Sequence, residues 1–136
     1  MCLLKVYSEN KSFKSFVEST KIPICKIFEK GDFKNELQKS KYDDYGIFFN
    51  ISDKKWNDLE AQIKDVIEFI ESNFNELELL MSNYHIKYAF LDFPLDSRFN
   101  KNVAVQTNHL PPRLINLVSK LNLGIELAIY DKNRFY

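Results

Sequence analysis

The 136-residue chain reads as one α+β domain, a two-layer sandwich with helices packed on one face of a mixed or mostly antiparallel sheet. Three observations lead there. Short apolar stretches of period two alternate along the chain with segments of helical period. Each of those strands is aliphatic on one side only, whereas the strands of a three-layer, doubly wound sheet are apolar on both. The length suits a single core, so the whole of 1–136 is assigned to one domain.

The first strand is "CLLKVYS", with Cys2, Leu4 and Val6 on one side. Ser8 is placed to cap a short helix, "ENKSFKSFVEST", whose Phe13, Phe16 and Val17 share a face. "IPICKIFEKGD" reads as a second strand with Pro23 at its start, ended by a turn at Lys30–Asp32. Residues 33–45 are polar and weakly patterned and read as a loop, with at most one helical turn at Phe33–Leu37. "GIFFNIS" is the third strand.

Ser52 or Asp53 then caps the longest helical signal. Trp56, Leu59, Ile63, Val66, Ile67, Ile70, Phe74, Leu77 and Met81 form its stripe, interrupted at Ser72-Asn73. "IKYAFLDF" and "KNVAVQT" read as a fourth and fifth strand joined in a hairpin by "PLDSRFN". In "HLPPRLINLVSKLNLG" a proline occupies the first helical turn, where the missing N–H costs nothing, and Gly124 is placed as the left-handed C-terminal cap. "IELAIY" is the last strand, with Ile125, Leu127 and Ile129 turned to the core. The predicted order is β-α-β-β-α(α)-β-β-α-β.

Composition narrows the function classes. Hydrophobic residues make up 45% and aromatics 15%, too apolar for a disordered chain. Lys and Arg number 19 and so do Asp and Glu, so no net electrostatic term favours a phosphate backbone. Only Arg98, Arg113 and Arg134 supply the forked guanidinium suited to phosphate, and nucleic-acid binding is not expected. The start of the chain does not read as a signal peptide and no apolar run approaches a membrane span. The cytoplasm is therefore the expected compartment, with Cys2 and Cys25 reduced and Cys25 packed on its strand.

Period two also defines a second face. Lys5, Tyr7, Phe48, Asn50, Tyr88, Phe90, Asp92, Glu126 and Tyr130 all point away from the aliphatic side. Such a face can be ordinary solvated sheet, a protein-binding surface, or an active site built on Asp92 and Glu126. As a partner surface it would use Tyr7, Phe48, Asn50, Tyr88, Phe90, Asp92, Glu126 and Tyr130.

Motifs for chemistry are sparse. His85 and His109 could form an acid/base pair only if the fold brought them together. Two separated cysteines without a histidine pair make no zinc pattern, and "YDDY" (Tyr42–Tyr45) lacks the other ligands of a calcium loop. With Gly at 31, 46 and 124 only, no phosphate-cradling loop exists. No catalytic residue, metal or cofactor is expected. Trp56 reads as the anchor of the long helix.

"LPPRLINLVSKLNLGIELAIY" resembles the closing helix-strand unit of small bacterial domains of unknown function, some of which occur near polymorphic-toxin systems. "FFNISDKKWNDLEAQIKDVIEFI" resembles their earlier strand and Trp-led helix. The two segments cover under half of the chain and are signatures of fold, so they carry over no active-site residue. The resemblance implies a cytosolic α+β domain acting as an immunity-type binding protein.

The leading expectation is thus a non-catalytic, protein-binding domain, with another protein, a toxin for instance, as partner. Acids at Asp43, Asp44, Asp92, Asp96 and Glu126 would oppose a basic surface and speed encounter. The alternatives are a small hydrolase or nuclease using the Asp/Glu or His pair, and a homodimer using the open face or an edge strand.

Overall fold

A computed structural model describes residues 1–37 and 39–131; Gln38 and residues 132–136, Arg134 among them, lie outside the described residues. In chain order the elements are β1 (Cys2–Ser8), α1 (Lys14–Ser19), β2 (Lys26–Phe28), β3 (Tyr45–Ser52), α2 (Leu59–Ser72), α3 (Phe74–Asn83), β4 (Ile86–Asp96), α4 (Pro112–Lys120) and β5 (Gly124–Tyr130). The strands make one sheet in the order β2-β3-β1-β4-β5. β1 is central and antiparallel to both β3 and β4, β2 is antiparallel to β3, and β5 is parallel to β4. The fold is α+β with a mixed sheet and the helices packed against it, as the patterning predicts.

Period two sorts the strands as expected over the centre of the sheet. Cys2, Leu4, Val6, Ile47, Phe49, Ala89, Leu91, Phe93 and Leu95 are buried on the helical side. They meet Phe13 and Phe16 from the α1 region, Leu59, Ile63, Val66 and Ile70 from α2, Leu77 and Leu80 from α3, and Leu114 and Val118 from α4. Each buried Val, Leu, Ile or Phe among them contributes roughly 1.5–3 kcal/mol by leaving water. The pattern fails at the edge. Leu127 and Ile129 are 38% and 53% exposed, because β5 is the last strand and the helical layer leaves its far end uncovered.

Several local expectations are corrected. "KNVAVQT" is not a strand; its Val103 makes only an isolated bridge to the preceding Asn100. Alternation supplies a face but not a neighbour, and β5 occupies the edge of β4 that such a strand would need. "PLD" is not a turn but the end of β4. Pro94 is tolerated there because the pairing of β1 with β4 stops at Leu3–Asp92, so no β1 residue needs its missing N–H; its strand partner is Ala128 of β5, and its carbonyl accepts from the Gln62 side-chain amide at 3.1 Å. β2 shrinks to three residues, and Cys25 lies exposed beside it rather than packed.

Caps also move. The N-cap of α2 is Asp58, whose carboxylate accepts from the Ala61 N–H at 3.0 Å, so Trp56 precedes the helix instead of opening it. Ser8 stays in β1 and donates to the Tyr84 carbonyl at 2.8 Å, while the short helix begins only at Lys14. At the end of α4 the left-handed residue is Asn122 (φ 55°), not Gly124. The Leu123 N–H bonds to the Val118 carbonyl and the Asn122 N–H to the Ser119 carbonyl, a Schellman closure two residues earlier than glycine suggested. The break between α2 and α3 does fall at Asn73, whose side-chain amide donates to the Phe69 carbonyl at 2.9 Å.

Candidate functional site

The antiparallel registers gather the rings of the second face into one cluster. Lys5 is the partner of Phe48 on one side and Phe90 on the other, and Tyr7 is the partner of Tyr88 and Gly46. Tyr7 stacks on Tyr88 with centroids 4.4 Å apart and meets Phe48 edge-on at 5.6 Å. Phe90 lies 6.3 Å from Tyr7 and 6.1 Å from Tyr88. These separations suit favourable ring pairs, so the cluster is pre-arranged rather than loose.

Two further rings extend it. Phe28 lies 5.5 Å from Phe48 and 6.0 Å from Tyr7, and Tyr42 stacks on Phe28 at 3.6 Å. Phe28 reaches this position by lying flat over Gly46, where a Cβ would run into the ring. Tyr42 thus covers the β2 end of the face and leaves Tyr88 at its centre 45% exposed. Sequence reasoning missed Phe28 and Tyr42. The available signal was Gly46, since a glycine inside a strand marks close approach.

Charges are woven into the rings. The Lys5 ammonium sits 3.0 Å from the Asp92 carboxylate, and 5.3 Å and 5.8 Å from the Phe48 and Phe90 centroids. Lys26 lies over Phe28, Tyr42 and Phe48 at 5.7, 5.3 and 6.0 Å. Cations over ring faces are held by the ring quadrupole. Lys87 is the extra residue where the β1–β4 register shifts, and its ammonium lies 3.3 Å from buried Asp44, which raises the lysine pKa first through that hydrogen bond. Burial pushes the Tyr7 hydroxyl up to about 12, with Tyr88 and Tyr42 adding to the shift. Burial and then Asp44 push Tyr88 in the same direction.

The structure sorts the sequence-predicted residues. Tyr7, Phe48, Tyr88 and Phe90 form the cluster, and Asp92 joins it through Lys5. Glu126 is the exposed register partner of Asp92 across β4 and β5. Asn50 is exposed on β3, its amide donating to both Asp53 carboxylate oxygens at 3.1 Å. Tyr130 packs on Trp56, with centroids 4.9 Å apart, near the end of β4 where the Asp96 N–H bonds to the Trp56 carbonyl.

The catalytic pairs fare differently. Asp92 and Glu126 are neighbours, but the Asp92 carboxylate is engaged by Lys5. His85 and His109 are kept apart. His85 is in the left-handed turn (φ 51°) just before β4. His109 lines a cleft of about 540 Å³ beyond the other end of that strand, with Asp58, Glu60 and Arg98. The 11 residues of β4 hold the two ends roughly 30 Å apart, so the imidazoles cannot serve one substrate atom. The cleft was not foreseen, because it forms only where the first turns of α2 (Leu59, Glu60 and Ile63) meet Arg98 and Thr107–His109, a loop distant in the chain that periodicity does not describe.

Among the described residues, no group of three or more His, Cys, Asp or Glu is arranged to hold a metal ion. No helix among them is long and apolar enough to cross a membrane. No curated protein and no solved structure matches this chain. The model of the family DUF4279, a domain of unknown function, matches residues 1–132, nearly the whole length, and the chain belongs to that family.

Proposed function

We propose that this domain is a non-catalytic protein-binding module that seats a partner on the ring face, in the manner of an immunity protein that occludes a toxin. The observation that carries this reading is the contiguous cluster of Tyr7, Phe48, Tyr88 and Phe90 on a face over which, among the described residues, no helix lies. Interface cores are enriched in aromatics and depleted in unpaired charge, and rings already packed together lose little entropy on binding. Here Lys5, at the centre of the cluster, is neutralised by Asp92, Lys26 lies over Phe48 at the β2 border, and the rings are braced by each other.

The charge argument narrows at the same time. Asp44 is committed to Lys87 and Asp92 to Lys5, which leaves Asp43 and Glu126 as the exposed acids of the proposed rim. The partner is therefore held mainly by apolar contact, with a modest preference for a basic border.

The test is co-expression with the product of the neighbouring gene, followed by calorimetry on Tyr88→Ala and Phe90→Ala. The expected result is a complex weakened at least about tenfold by each substitution, as at aromatic hot spots. Absence of a complex with any neighbouring toxin, together with no protection of cells, would sink the reading.

A further inference from the structure

The two edges of the sheet are built differently. β2 has three residues, carries Lys26 and follows Pro23 closely. Short length, lysine and proline are the usual means of keeping an edge from pairing. β5 has seven residues, Gly124 to Tyr130, and includes no lysine, proline or register shift. Among the described residues it pairs with β4 alone. Leu127 and Ile129 stay 38% and 53% exposed on its helical side.

We propose that the β5 edge joins a second copy of this chain, strand to strand and antiparallel, about a two-fold axis at Leu127. In that register Leu127 meets the second copy's Leu127, and Ile125 meets Ile129. The aliphatic stripe then runs unbroken across the joint and the exposed apolar side chains gain cover. On the other side Glu126 meets Ala128, and Gly124 lies opposite Tyr130. Neighbouring symmetric registers are worse. Centring on Glu126 sets like charges directly opposite, and centring on Ala128 leaves Gly124 and Ile125 unpaired. The strand is thus self-complementary in one alignment that uses all of its residues. The axis stands perpendicular to the sheet, so both helical layers fall on one side and both ring faces on the other.

A strand pair with a short apolar stripe sits at the low end of the roughly 1,200 Å² that stable interfaces bury, so the dimer is weak and concentration-dependent. Sedimentation of the full chain from about 10 µM to about 1 mM tests it. The wild type is expected to pass from monomer to dimer in that range, and Leu127→Lys to remain monomeric while keeping its circular dichroism. The register is tested by two charges at one half-buried position. Ala128→Lys faces Glu126 twice in the dimer and tightens it at least about twofold, whereas Ala128→Glu loosens it by at least as much. A monomer throughout the range overturns the proposal. So does a dimer that both Ala128 variants shift the same way. Neither result bears on the ring face, which the partner-binding experiment tests separately.

Discussion

The two faces of this sheet are made by the same strands and obey the same period of two, yet they hold together by different physics. Over the central strands the helical face is apolar and sealed: Leu4, Val6, Ile47, Phe49, Leu91 and Phe93 are all at or near zero exposure. The other face is aromatic and half-wet, with Tyr88 45% exposed and ring-on-ring and ring-on-cation contacts in place of a second layer. The difference teaches that a sheet can be saturated on one side and organised but unsaturated on the other. Stability then belongs mainly to the first face.

That division can be broken by substitution. Leu91→Ala empties a fully buried site on the helical face and is expected to cost about 2–5 kcal/mol in denaturant unfolding. Gly46→Ala puts a methyl where the Phe28 ring lies and is expected to cost about 1–3 kcal/mol, with the near-ultraviolet dichroism of the Phe28–Tyr42 stack altered while the helical signal is retained. If Gly46→Ala proves as damaging as Leu91→Ala, the ring face is a second core and the contrast is lost.

The smallest effect is electrostatic. The Tyr7 hydroxyl is raised from 10.0 to about 12 in the folded chain. Below pH 10 the folded and unfolded chains bind the same proton there, so no pH dependence arises from it. Above pH 10 the unfolded chain releases the proton first, and stability falls as pH rises toward 12. Tyr7→Phe removes that contribution, so its stability is expected to fall less steeply than the wild type between pH 10 and 12 and to run parallel below pH 10. Cys2, raised by burial to about 12, titrates in both proteins and cancels in the difference. Parallel curves above pH 10 would mean the Tyr7 ring is not desolvated by its neighbours.

Much of the ring face was legible because alternation is local. Tyr7, Phe48, Tyr88 and Phe90 follow from counting by two within their own strands. What was not legible depends on residues distant in the chain. Asp92 and Asp44 read as free acids until β1 brought Lys5 to one and the bulge at Lys87 turned an ammonium to the other. Tyr42 read as part of a polar loop until it folded onto Phe28, 14 residues earlier in the chain.

The sequence by itself determined the class of fold, the break at Asn73, and which residues of each central strand share a face, because propensity and period are properties of a few adjacent residues. Tertiary structure alone decided which alternating segment became a strand. "KNVAVQT" has the pattern, but β5 takes the edge of β4 that its hairpin would need, whereas β4 runs through Pro94 because no β1 residue there requires its missing N–H. It also decided that the aliphatic side of β5 stays wet. Period two assigns Leu127 and Ile129 to the helical side, but only the reach of the helices over the sheet determines whether that side is covered.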